Sequence, residues 1–113
     1  MVYPSAERSG RLSEAFENLV LSWPNVQVDY RHGYATYCVG TRPFAVVDGM
    51  RLALTDLTAE SRAALENGWF VDPFRGETGV METWSTVCIS PDELESLVPF
   101  VRRSYETARE VGR

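Results

Sequence analysis

The chain has 113 residues, 44% of them hydrophobic. That is one domain's worth of sequence with apolar material for one core, and it argues against a disordered chain. Sixteen acidic residues against eleven basic ones give a net charge of −5, which argues against a domain devoted to gripping phosphates; all eleven are arginine, so Schiff-base lysines and P-loop lysines are excluded as well.

In chain order, Met1 to Glu7 lacks a basic region followed by an apolar stretch, and no apolar run approaches the ~20 residues of a membrane helix. A cytoplasmic protein with no membrane partner is expected. Residues 5 to 22 predict a helix, because Leu12, Ala15, Phe16, Leu19 and Val20 follow the i, i+3, i+4, i+7, i+8 spacing of one buried face. Trp23-Pro24-Asn25 ends it, since the residue before proline avoids helical angles.

Residues 26 to 55 predict an antiparallel meander. Val26 and Val28 alternate with Gln27 and Asp29. Tyr34 to Val39 is rich in aromatic and β-branched residues. Pro43 cannot donate a ladder bond and belongs at the start of the next strand, which runs through Phe44-Ala45-Val46-Val47. Asp48-Gly49 is the strongest hairpin signal in the chain, and Met50 to Thr55 returns as a fourth strand.

Thr58 caps a short helix to about Asn67, with Gly68 as its stop and Ala63, Ala64 and Leu65 as its apolar face. A loop is expected from Asp72 to Met81, where Pro73, Gly76 and Gly79 fall. Glu82 to Ile89 predicts a strand with Trp84, Thr86 and Cys88 on one face and Ser85, Val87 and Ile89 on the other. Ser90, Pro91 and Glu93 open the last helix with a capping box. Leu94, Leu97, Val98, Val101, Tyr105 and Ala108 form its buried stripe, which Pro99 is expected to kink or split. The sum is a single α+β domain over residues 1–113, with about five antiparallel strands and three helices in the order α-β-β-β-β-α-β-α.

The chemistry-bearing residues are sparse. Cys38 and Cys88 form no C-x-x-C motif and are expected to be buried thiols, with a bridge between them left open. The single histidine, His32, sits between two strands and reads as a turn residue. It has no H-E-x-x-H or paired-cysteine companions for a metal. No G-x-S-x-G elbow is present for a nucleophile. No catalytic residue, metal ligand or cofactor is therefore expected, and an enzyme built on His32 is the minor alternative. Arg75 to Gly79 has no lysine and no following helix, so it is no phosphate loop. With Trp69, Phe70 and Phe74 nearby it is a binding candidate, unless those rings close the core. Tyr30, Tyr34 and Tyr37 lie near Arg31 and Arg42, a composition suited to stacking on a planar ligand. Tyr34 and Tyr37 differ by three, so they point to opposite sheet faces and only one can be in the core.

Leu19 to Tyr105 resembles the MmcQ/YjbR-like proteins and the N-terminal domain of TfoX-type proteins. Four segments carry the resemblance. They are Leu21-Ser22-Trp23-Pro24-Asn25-Val26, similar to a leucine-proline-glycine-valine turn; Gly33 through Phe44-Ala45, with Val39-Gly40 and Arg42; Leu52-Ala53-Leu54; and Trp84-Ser85-Thr86-Val87 followed by a helix ending in Ser104-Tyr105. The chain departs from the pattern in having Asn25 where the family has glycine, Thr55 where a lysine is usual, and no lysine anywhere. The resemblance implies an α+β domain with a double-wing sheet and a nucleic-acid-binding label without catalytic residues. Relatives in antibiotic gene sets make sequestration of an aromatic compound the competing implication. The expected function is thus a non-catalytic binding domain, monomeric or homodimeric, whose partner is nucleic acid, a planar aromatic molecule or a protein. The candidate surface combines Arg31, His32, Tyr34, Arg42, Arg75 and Trp84, with arginines for anions and rings for stacking. A nucleic-acid interface would place Arg31, Arg42, Arg51 and Arg75 on one face.

Overall fold

The computed structural model describes residues 4–31, 34–76 and 79–111. Helix α1 spans Pro4–Val20 and buries Leu12, Phe16 and Val20 on one stripe. The chain then turns through Asn25, whose φ of 62° is left-handed. Strands β1 (Val26–Arg31), β2 (Tyr34–Val39), β3 (Arg42–Asp48) and β4 (Arg51–Leu54) follow as the expected meander. Helix α2 (Ala59–Glu66) leads to β5 (Asp72–Gly76) and β6 (Gly79–Cys88), and a 3-10 turn at Pro91–Glu93 opens helix α3 (Leu94–Val111).

The six strands form one antiparallel sheet in the order β1-β2-β3-β4-β6-β5. Six rather than about five arise because the segment expected to be a loop is a hairpin. Phe74 pairs with Met81, Arg75 with Val80 and Gly76 with Gly79. The element order is therefore α-β-β-β-β-α-β-β-α.

The main core lies between one sheet face and α1 and α3. Ala35, Tyr37 and Val39 of β2 point into it, alternating with Tyr34, Thr36 and Cys38. Leu52 and Leu54 of β4 and Val87 of β6 join them, under Leu97, Val101 and Tyr105 of α3. On β3 both Phe44 and Ala45 face this core, which strict alternation forbids. The register explains it: Tyr37 pairs with Ala45 and Cys38 with Pro43, leaving Phe44 as the extra residue of a bulge. At one end of the core, the Trp23, Phe44 and Tyr105 rings meet at centroid distances of 5.0 to 6.4 Å, and the Tyr105 hydroxyl donates to the Pro24 carbonyl at 2.7 Å.

Four local expectations need correction. The Asp48-Gly49 turn is shifted by one residue: Asp48 pairs with Arg51, so Gly49 and Met50 are the turn positions and only Gly49 has positive φ. Glycine at the first turn position suits a II′ hairpin. On α2, Ala63 and Ala64 are exposed and Ser61 and Leu65 are buried. In a helix of eight residues, Ser61 and Leu65 are four apart and share the one face that is turned inward. Pro99 does not split α3, which runs through it with Pro99 exposed; an outward-facing ring near the helix start loses a hydrogen bond without disturbing the packed stripe. Cys38 and Cys88 both remain thiols, but Cys38 is half-buried and Cys88 exposed, since both lie on the sheet face away from the helices. Among the described residues, no helix is long and apolar enough to cross a membrane.

Candidate functional site

The second sheet face carries a small core of its own. Val46 of β3, Ala53 of β4 and Phe74 of β5 are buried there, with Tyr34 and Trp84 packed against them. The Phe74 ring meets Tyr34 edge-on at 5.5 Å and Trp84 at 5.3 Å between centroids. Tyr34 belongs to β2, four places from β5 in the sheet. At ~4.8 Å per strand a flat sheet would separate them by roughly 19 Å. The contact requires the sheet to curl, folding the β5–β6 hairpin over its own outer face.

That curl creates a cleft of about 460 Å³ between the hairpin and the connection from α2 to β5. Arg51, Thr86 and Cys88 line one wall, Asp72, Pro73 and Arg75 a second, and Gly68, Trp69 and Phe70 a third. Sheet register positions the first wall: Arg51 lies opposite Cys88, and Thr86 sits between Ala53 of β4 and Asp72 of β5. The third wall is fixed by the end of α2, where the N–H groups of Gly68 and Trp69 both donate to the Leu65 carbonyl. Trp69 is thereby held against the main core, while Phe70 is 96% exposed.

The polar groups of the cleft differ in how far they are satisfied. Arg51 pairs with Asp48 and lies over the Phe74 ring, 5.7 Å from its centroid. Arg75 is exposed and makes no ion pair with any described residue. Thr86 is 5% exposed, and its Oγ1 has no hydrogen-bond partner among the described residues. A buried hydroxyl without a partner is uncommon and calls for an explanation.

The residues singled out from sequence fare differently. Tyr34 and Trp84 converge on Phe74 without lining the cleft, whereas Arg75 lines it. Arg42 is elsewhere. It grips Asp56 with two hydrogen bonds, Nε to Oδ2 at 3.0 Å and Nη2 to Oδ1 at 2.7 Å, and that carboxylate holds the guanidinium above its usual pKa. It starts β3, six residues from Asp48, so roughly 20 Å of strand separates it from the Arg51 end of the hairpin. Arg31 ends β1, but its side chain, like the whole of His32, lies outside the described residues.

Nor do Tyr30, Tyr34 and Tyr37 make one platform. Tyr37 is in the main core, Tyr34 is on the opposite face, and Tyr30 is exposed and donates to Glu17. Thr86 enters the site without having stood out as a binding residue, and Arg51 stood out only as part of a nucleic-acid interface. The usable signal was the shared face of Trp84, Thr86 and Cys88. Comparison with protein-family models, curated proteins and solved structures finds no match to this chain.

Proposed function

We propose that this chain is a non-catalytic binding domain of the MmcQ/YjbR-like type that takes a small planar aromatic molecule into the cleft beside Phe70. The observation that carries the reading is a preformed cleft of about 460 Å³ with an almost fully exposed phenylalanine on its wall. Small-molecule sites typically span roughly 300–1,000 Å³, apolar in the main with a few placed polar groups. A phenylalanine left in water gains by stacking on a planar ligand.

Two features support the family assignment. Asn25 stands where the resembled proteins have glycine, and its φ of 62° is one that glycine and asparagine share. The curled antiparallel sheet with helices on one face accords with a double-wing sheet. Nucleic acid gains less support, because two of the arginines such an interface would use, Arg42 and Arg51, are already held by Asp56 and Asp48.

Tryptophan fluorescence tests the reading, since Trp69 lines the cleft. Saturable quenching by neutral and charged naphthalene derivatives is expected, weakened in Phe70→Ala. That variant should keep the wild-type melting temperature, because so exposed a ring packs against little. Absence of saturation with every derivative would remove the small-molecule reading. Saturable, salt-sensitive binding of short single-stranded DNA would replace it with the nucleic-acid one.

A further inference from the structure

Resting on the reading of the cleft as a small-molecule site, we infer that its ligand is an aromatic monoanion whose carboxylate is received by Arg75 and Thr86. Thr86 lines the cleft, and its buried Oγ1 has no hydrogen-bond partner among the described residues. A threonine hydroxyl both donates and accepts, so its position has a use once a polar group enters. Ser85 shares the lack of a partner, but it is no part of the cleft lining.

Arg75 supplies the charge. Its guanidinium is exposed and has no acidic partner among the described residues. The planar fork of donors matches a carboxylate bidentately. Arg51 stands on the neighbouring wall, oriented by Asp48 and by the Phe74 ring beneath it.

The acidic residues set the ligand's charge. Asp72 lines the cleft directly across the ladder from Thr86, and Asp48 already compensates Arg51. Arg75 therefore remains without an ion pair among the described residues, although Asp72 offsets its charge across the cleft. A neutral ligand leaves it so, and a phosphate dianion brings a second charge towards Asp72. A single carboxylate gives Arg75 its ion pair with the least added charge facing Asp72. Its ring then lies along Trp69 and Phe70.

Calorimetric titration of the full chain with naphthoate, naphthamide and naphthyl phosphate tests this. Naphthoate should bind about tenfold or more tightly than the other two, the scale of a hydrogen bond to a charged group. Arg75→Gln should erase that preference. Thr86→Val should weaken naphthoate binding without lowering the melting temperature of the unliganded protein, because it removes a hydroxyl that bonds to nothing there.

Equal binding of naphthoate and naphthamide, unchanged in Arg75→Gln, would overturn the carboxylate assignment and leave the aromatic cleft standing. Preference for naphthyl phosphate would overturn the monoanion. Failure of all three to bind would overturn both the inference and the reading beneath it. A Thr86→Val variant that loses binding and thermal stability together would assign that hydroxyl to the fold and overturn its part in the site.

Discussion

Among single residues, Tyr37 links burial to pH most directly. Its ring is fully buried, 4.7 Å from that of Phe16 between centroids, and its hydroxyl reaches the Ser13 carbonyl at only 3.5 Å. Burial, which penalises the phenolate, pushes its pKa up from 10.0 to about 12. The folded state therefore holds this proton more tightly than the unfolded chain does. The resulting stability is fully present below pH 10 and is lost as pH rises towards 12. Two pKa units correspond to roughly 2–3 kcal/mol. Urea midpoints measured across that window should fall in the wild type, and the fall should be smaller in Tyr37→Phe. An identical decline in both proteins would mean that Tyr37 does not supply the linkage.

Elements are joined here by hydroxyls as well as by apolar faces. Ser104 of α3 is fully buried; its Oγ accepts the Asp56 N–H at 3.1 Å and donates to the Phe44 carbonyl at 2.7 Å. It thus ties α3 both to the bulge of β3 and to the loop that holds Arg42. In Ser104→Ala the Phe44 carbonyl keeps the Thr55 N–H, but the Asp56 N–H loses its partner. A cost of about 1–3 kcal/mol is expected, seen as a lower urea midpoint with unchanged slope. A neutral substitution would show that water replaces the hydroxyl. None of this was legible in the sequence, where Ser104 is one polar residue inside an apolar stripe. What was legible follows local chemistry: the stripe of α1, the β2 alternation and the Ser90–Glu93 cap, whose N–H to Oε1 distance is 3.0 Å. The β5–β6 hairpin escaped because Asp-Pro-Phe-Arg-Gly has the composition of a loop. Its strand conformation comes from Phe74 docking on Val46 and Ala53, distant in sequence. The cleft escaped for the same reason, since its walls meet only when the sheet curls. The pairing of Arg42 was hidden because its partner, Asp56, lies beyond the following hairpin.

For the molecule as a whole, Phe74 is the residue through which the sheet closes on itself. It is 1% exposed and touches β2, β3, β4 and β6 through Tyr34, Val46, Ala53 and Trp84. Phe74→Ala should cost up to about 3–5 kcal/mol. Hydrogen exchange should place the loss in the β5–β6 hairpin, with amides of β3 keeping their protection. Unchanged protection of the hairpin would show that the curl is held by something other than this ring. The same fold has a consequence for self-association. A sheet edge is a template on which another chain can grow by backbone pairing. Here one edge strand, β5, is five residues long, contains Pro73 and is interrupted by a register shift between Asp72 and Phe74, so it offers a broken row of donors on a strand bent back over its own sheet. The other edge, β1, carries Asp29 and Arg31 among its six residues, and charges at an edge discourage stacking of like chains. The bend that shapes the cleft is thus also a barrier to polymerisation.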